Sequence, residues 1–201
     1  MERRVYLLRH AQPQLAVGER LCLGHTDVPL AQSGAVQAMQ LAQRFVGLPI
    51  RTVYSSDLRR SSQTAQILAD TLALSLNERA DLREIDMGAW DGLTFAEIRR
   101  RWPEEYRRRG QKIWQYAPPD GESFACCAQR AEQALAAILA ESRGDVLIVA
   151  HSGFNRALLW QWGVRPSAGL LAIKQAYACV NRLLFIERQG YLVQSVNECW
   201  I

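Results

Sequence analysis

Apolar residues along the chain follow two patterns: short continuous runs, and longer stretches with helical spacing. The runs VYLLR (5–9), IRTVYSS (50–56) and DVLIVAHS (145–152) predict strands. The last is continuously apolar, which is typical of a strand buried on both faces of a parallel sheet. Stretches with one apolar helical face lie between and after these runs. The four predicted helices cover residues 30–47, 57–74, 121–142 and 153–162.

The alternation of strands and helices indicates an α/β protein. We expect a three-layer sandwich, with a mostly parallel central sheet flanked by helices. A closing hairpin is predicted at 179–196, around Gln189 and Gly190. The stretch 82–119 is less regular and is expected to form a small helical cap over the carboxyl edge of the sheet. Residues 1–201 are interpreted as a single domain, since the length is that of one ordinary domain.

Three predicted strands end in residues suited to binding an anion. The first ends in Arg9 and His10, the second runs through two serines to Arg59, and the third ends in His151. Ligands of such sheets bind beyond the carboxyl ends of the strands, so these side chains should converge. Arginine grips phosphate in a forked, bidentate way. Arg59 is preferred to its neighbour Arg60, which is assigned to the surface, because Arg59 opens a helix whose N–H groups also favour an anion.

Composition limits the alternatives only partly. The chain is 49% hydrophobic and 22% charged, with 24 Lys+Arg against 20 Asp+Glu, a mild basic excess that suits an anionic substrate. No apolar stretch approaches the ~20 residues of a membrane helix, and the apolar run near the N-terminus is too short for a signal peptide. Five cysteines without C-x-x-C spacing predict free thiols. We therefore expect a cytoplasmic location and no membrane partner.

Four segments in order resemble the histidine phosphatase superfamily, also called phosphoglycerate mutase-like. They are LLRHA (7–11), VYSSDLRRSSQTAQIL (53–68), LREIDMGAWDGLTFAEI (82–98) and VLIVAHSG (146–153). Within the superfamily, GHTDVPLAQSG (24–34) and the short chain look most like the α-ribazole phosphatase branch. The resemblance implies a metal-independent phosphomonoesterase of the histidine acid-type, which acts on a small phosphorylated metabolite and requires no cofactor.

The resemblance also implies a role for each candidate residue. His10 would be the nucleophile that becomes a phosphohistidine, while Arg9, Arg59 and His151 would surround the phosphoryl oxygens. Glu84 would protonate the leaving oxygen and then activate water. The residues expected to contact the rest of the substrate are Gln12, Gly24 and Ser152.

The loop after His10 departs from the family pattern. Ala11 replaces the usual glycine, Pro13 the usual threonine, and Ala16 an asparagine that often helps to bind phosphate. Ala11 predicts a backbone without positive φ. These departures leave substrate identity open, and α-ribazole 5'-phosphate is one candidate. The alternatives are a cofactor-dependent phosphoglycerate mutase, a protein phosphohistidine phosphatase and a non-enzymatic phosphate-binding regulatory domain.

The run EIRRRWPEEYRRRG (97–110) combines six arginines with two aromatic residues. Three glutamates interleave the arginines, so a solvated helix pair broken at Pro103 explains the run better than a nucleic-acid surface does. We expect no nucleic-acid partner. Trp160, Trp162 and Trp200 permit a homodimer without requiring one.

Overall fold

The computed structural model of the chain describes residues 2–16 and 21–201. Within these residues, six strands form one mixed sheet in the order β3-β2-β4-β1-β5-β6. The strands are β1 Glu2–Arg9, β2 Ile50–Ser55, β3 Leu76–Glu78, β4 Asp145–Ala150, β5 Val180–Ile186 and β6 Gly190–Glu198. The four strands β1 to β4 pair in parallel, whereas β5 pairs antiparallel with β1 and β6 pairs antiparallel with β5.

Six α-helices lie among the described residues. They are α1 Gln32–Phe45, α2 Arg59–Leu72, α3 Phe95–Arg101, α4 Pro103–Gln111, α5 Phe124–Glu141 and α6 Ser152–Gln161. Helices α1 and α2 pack together, as do α5 and α6. None of the helices in the described part of the chain is long and apolar enough to cross a membrane.

The central strand β1 separates two hydrophobic cores. Val5 and Leu7 face one core, while Tyr6 and Leu8 face the other, as the two-residue period of a strand requires. Strand β4 alternates in the same way. Burial on both faces explains the continuous apolar runs, and the predicted α/β sandwich with a mostly parallel sheet is confirmed.

Local signals account for several element boundaries. The Ser123 hydroxyl accepts a hydrogen bond from the Cys126 N–H at 3.1 Å and caps α5. Pro103 occupies the first turn of α4, where its missing N–H costs no helical hydrogen bond, so the predicted break of the helix pair is confirmed. The edge strand β3 was missed, because three residues are too few to show a period.

The segment predicted as a cap contains α3 and α4 and crosses the carboxyl edge of the sheet. Within this segment Trp90 is fully buried and packs against Tyr106 and Tyr116 at ring-centroid distances of 6.5 and 5.7 Å. Thr94 begins α3 with a capping box, in which its hydroxyl accepts from the Glu97 N–H and the Glu97 carboxylate accepts from the Thr94 N–H. Trp90 belongs to the hydrophobic core on one face of the sheet, so these aromatic contacts join the cap to that core.

Candidate active site

Two histidines stand side by side at the carboxyl edge because they follow neighbouring parallel strands. Arg9 of β1 is in register with Ala150 of β4, and the His10 N–H donates to the Ala150 carbonyl at 3.0 Å. The rings of His10 and His151 have centroids 5.1 Å apart. The predicted convergence of these strand ends is therefore present.

The His10 ring is held in one tautomer. Its Nδ1 lies 2.7 Å from the Ala11 carbonyl oxygen, which can only accept, so Nδ1 carries the proton and Nε2 keeps its lone pair. Burial, followed by the charges of Arg9 and Arg60, holds the pKa of His10 well below its usual value. Ala11 has no positive φ, as predicted. A neutral imidazole with a free Nε2 is the form that a nucleophile requires.

His151 is completely buried and has one unsatisfied nitrogen. Its Nε2 lies 2.6 Å from the Ser56 hydroxyl, whereas Nδ1 has no hydrogen-bond partner among the described residues. Burial and then the charge of Arg60 lower the pKa of His151 well below its usual value. An unpaired buried nitrogen costs about 1–3 kcal/mol, a cost that a bound acceptor would remove.

Arg9 carries a second unsatisfied donor in the same place. Its Nη1 donates to the Gln175 carbonyl at 2.6 Å, and its guanidinium lies 3.8 Å over the Tyr177 ring. Its Nε is buried without a partner in the described part of the chain. Two buried nitrogens beside His10, Arg9 Nε and His151 Nδ1, could therefore donate to an anion.

The second arginine of the site is Arg60, and the prediction of Arg59 is wrong. Arg60 is 1% exposed, lines the cavity at His10, and donates to the carbonyls of Gly24 and Thr26 at 2.7 Å each. Arg59 is exposed, and its backbone N–H is taken by the Asp27 carboxylate. Both open α2, but successive residues of a helix differ by about 100° in direction, so only one can face the cavity.

Glu84 lies at the N-terminus of α6, inside the same cavity. Its Oε1 accepts from the N–H groups of Ile85 and Phe154 at 2.9 and 2.8 Å, and within the described residues its Oε2 accepts only from the Gly153 N–H at 3.0 Å. These three N–H groups fix the orientation of the Glu84 side chain. Oε2, which has the single partner, is the oxygen available for proton transfer.

Gly153 leaves just enough room for this carboxylate. A Cβ at position 153 would lie 2.6 Å from Glu84 Oε1. We therefore expect Gly153→Ala to displace Glu84 and to lower kcat for an alkyl phosphate by about 10²-fold, the usual worth of general acid–base assistance. The loss should be smaller for para-nitrophenyl phosphate, whose phenolate leaves without a proton.

Gly110→Ala is the matched control for this substitution. A Cβ at Gly110 meets nothing within 4 Å, and the residue lies in α4. Steady-state rates on both substrates should be unchanged in this variant. Equal losses of kcat/KM, which reports the first step, on both substrates in Gly153→Ala would contradict the role of Glu84 as the acid that protonates the leaving group.

Three residues were predicted to contact the substrate, and only Ser152 lies on the cavity. Its hydroxyl accepts from Arg156. Gln12 is exposed outside the cavity and bonds Gln37 and Ser33 through its backbone N–H and its side chain, so that prediction is wrong. Gly24 is also outside the lining: its carbonyl positions Arg60.

The cavity has a volume of about 870 Å³ and extends from the sheet edge to the cap. Pro13 lines it, whereas Ala16 does not. Sequence reasoning missed four functional candidates, which are Arg60, Arg109, Arg156 and Tyr177. Arg156 could have been found from the sequence, because it lies one helical turn after Ser152 in the predicted helix. Tyr177 could not, because it lies in an irregular segment without a recognisable pattern.

The two buried histidines predict a pH-dependent stability. Because their pKa values are lowered in the folded protein, the unfolded chain binds more protons below about pH 6.5, and the stability falls as the pH falls. At pH 5 the loss should reach up to about 2 kcal/mol for each histidine. Urea unfolding at pH 7 and pH 5 measures it. His10→Gln should remove about half of this loss of unfolding free energy. An unchanged pH dependence in this variant would contradict the attribution of the loss to the two buried histidines.

The fold and the site together define an α/β protein with two arginines and two histidines at the carboxyl edge of its sheet. The family description of the histidine phosphatase superfamily (branch 1) matches residues 5–198. The chain belongs to this superfamily, as its four motifs predicted.

Curated relatives differ in what they do. The chain is 32% identical over 159 residues to 6-phosphofructo-2-kinase/fructose-2,6-bisphosphatase of Gallus gallus, a match that covers 78% of this chain and 32% of that protein. The chain thus spans about a third of that relative's length. It is 37% identical over 154 residues to the Probable phosphoglycerate mutase GpmB of Salmonella arizonae, covering 73% of this chain and 68% of the relative.

Solved structures are similar over nearly the whole chain. Mycobacterial glucosyl-3-phosphoglycerate phosphatase Rv2419c superposes with a TM-score of 0.86 at 28% identity, covering 99% of this chain and 100% of that one. The α-ribazole phosphatase of Shigella flexneri has a TM-score of 0.82 at 24% identity, with 97% and 96% covered. At this identity the second likeness shows the fold alone.

Proposed function

We propose that the protein is a phosphomonoesterase that transfers a phosphoryl group to His10 and then to water. The observation that carries the proposal is the set of buried, unsatisfied nitrogens on Arg9 and His151 beside the free Nε2 of His10. A tetrahedral phosphoryl group supplies the acceptor oxygens that these donors lack. Arg60 adds a second cation at the same point.

In the first step, His10 Nε2 attacks phosphorus while the bond from phosphorus to the ester oxygen breaks. The leaving oxygen takes a proton from Glu84 Oε2. Arg9 Nε, His151 Nδ1 and Arg60 hold the phosphoryl oxygens. Phosphoryl transfer depends mostly on such positioning and charge stabilisation.

In the second step, Glu84 takes a proton from a water molecule, which attacks phosphorus as the bond from nitrogen to phosphorus breaks. Inorganic phosphate leaves and His10 returns to its neutral form. The lowered pKa of His10 favours this regeneration, because the protonated ring is disfavoured. Ser56 orients His151 through Nε2, and when the Ser56 hydroxyl donates in this contact, Nδ1 carries the proton and is the donor to the phosphoryl group.

The substrate we propose is a small phosphorylated metabolite. The likeness to a glucosyl-3-phosphoglycerate phosphatase supports hydrolysis, and α-ribazole 5'-phosphate remains a candidate substrate that only a shared fold supports. The similarity to GpmB favours a second candidate, a phosphoglycerate mutase. A mutase would move the phosphoryl group to a second hydroxyl instead of to water.

A screen of phosphomonoesters in the presence of a metal chelator tests the proposal. We expect release of inorganic phosphate from at least one metabolite and from an aryl phosphate. Isomerisation of phosphoglycerate without phosphate release would favour the mutase. The absence of both reactions would contradict the proposal of an enzyme and favour a non-enzymatic regulatory domain.

A further inference from the structure

We propose that Arg109, on the cap helix α4, binds a second anionic group carried by the leaving part of the substrate. The inference rests on the proposed function and narrows its substrate class. The substrate would be a phosphomonoester that bears a carboxylate or a second phosphate. Arg109 would then determine which substrates bind, while Arg9 and Arg60 bind the phosphoryl group that is transferred.

Arg109 is a cavity-lining cation without a counter-ion in the described residues. It contacts neither a carboxylate nor a hydrogen-bond acceptor there, and the titratable groups that act on it are Cys22, Tyr106 and Tyr116, none of which is a carboxylate. Burial lowers the pKa of its guanidinium. A desolvated, unpaired cation is costly, and an anionic ligand would remove the cost.

The neighbouring arginines of α4 behave differently. Arg107 pairs with Glu104 at 2.7 Å and Arg108 pairs with Glu105 at 3.0 Å, both on the exposed side of the helix. Arg109 is the next residue, about 100° further around the helix. It turns away from both glutamates and into the cavity, so the solvated-face explanation of the arginine run does not apply to it.

The charge balance of the cavity also indicates a second anion. Its described lining contains four arginines, at positions 9, 60, 109 and 156, against the one carboxylate of Glu84. This is an excess of three positive charges. A phosphomonoester dianion neutralises two of them, and one remains.

Several of the side chains that line the cavity together with Arg109 are apolar. Leu21, Phe95 and Phe124 form no side-chain hydrogen bonds, and Tyr106 has only its hydroxyl. In apolar surroundings a cation discriminates strongly between an anion and a neutral polar group. Specificity is therefore expected to depend on one charge instead of on a network of polar contacts.

Binding to the His10→Ala variant tests this inference without requiring turnover. Calorimetric titration compares two matched pairs at fixed ionic strength: 3-phosphoglycerate against glycerol 3-phosphate, which differ only in carboxylate against hydroxymethyl, and fructose 1,6-bisphosphate against fructose 6-phosphate. In at least one pair, we expect the compound with two anionic groups to bind about tenfold more tightly than the compound with one. The preferred pair identifies carboxylate or phosphate as the group.

Adding Arg109→Gln to His10→Ala should remove that preference. The affinity for the compound with one anionic group should stay within about threefold of its value in His10→Ala alone. Arg109→Lys keeps the charge and should retain most of the preference. Arg107→Gln removes an equal charge from the exposed side of α4 and should change neither affinity. Because Arg109 has no partner among the residues that the structure describes, its replacement by glutamine should not lower the melting temperature.

Equal weakening of both members by Arg109→Gln, the same effect from Arg107→Gln, or no preference in either pair would overturn the inference. These outcomes are independent of catalysis. An absence of hydrolysis by the wild-type protein, in contrast, would overturn the proposed function and leave the binding comparison valid.

Discussion

Replacing His10 with alanine is expected to lower kcat for phosphomonoester hydrolysis by on the order of 10⁴-fold or more. In the structure, His10 is the side chain whose nitrogen is held unprotonated beside two orphaned donors. Without it, water would have to attack the ester directly. Steady-state phosphate release, measured with at least one metabolite and with para-nitrophenyl phosphate, gives the result.

The fold of this variant can be checked independently. Removal of a buried histidine with a lowered pKa should reduce the sensitivity of stability to acid, and the circular dichroism spectrum should be unchanged. Wild-type rates in a correctly folded His10→Ala protein would show that the phosphoryl group is not transferred to this residue.

The exchange of Arg60 for lysine should lower kcat/KM by about 10²–10³-fold, the usual cost of losing a preorganised donor to an oxyanion. Arg60 uses two of its nitrogens to hold the carbonyls of Thr26 and Gly24 and still faces the cavity. Lysine keeps the charge but cannot span both carbonyls and the phosphoryl group at once.

Arg59→Lys is the matched control, one residue away in the same helix. Arg59 is exposed and outside the cavity, so the change should alter kcat/KM by no more than about twofold. Kinetics on a single substrate compare the two variants directly. A larger loss in Arg59→Lys than in Arg60→Lys would restore the assignment made from the sequence.

The choice of Arg59 over Arg60 shows how far the sequence alone can place a side chain on a helix. Helical periodicity placed α2 correctly, and the strand before it indicated that an arginine would reach the sheet edge. The phase of the helix depends on where it begins, and a shift of one residue turns the side chain by about 100°. Only the packed position of α2 against β2 and β4 decides between Arg59 and Arg60.

The residues at strand ends were predictable because β1 and β4 are long, apolar and parallel. Their register brings His10 and His151 together whatever the loops do. Glu84 was found through its motif, but its three backbone donors depend on the approach of the segment to α6. Gln12 lies outside the cavity because its backbone N–H and its side chain bond Gln37 and Ser33 of α1.

Arg109, the residue proposed to determine specificity, was the least predictable. It follows two paired arginines, and nothing in the local pattern distinguishes it from Arg107 or Arg108. Its direction is set by the packing of the cap, in which Trp90 anchors Tyr106. Side chains whose roles depend on long-range contacts of this kind require the structure.

Rapid quenching of the reaction tests the central claim most directly. Enzyme mixed with a phosphomonoester is stopped in alkali, where phosphohistidine survives, and is digested for mass spectrometry. The account predicts one phosphoryl group on the peptide that contains His10, attached at Nε2 and absent from His10→Ala. Turnover without a phosphorylated peptide, or a phosphoryl group on a residue other than His10, would contradict it.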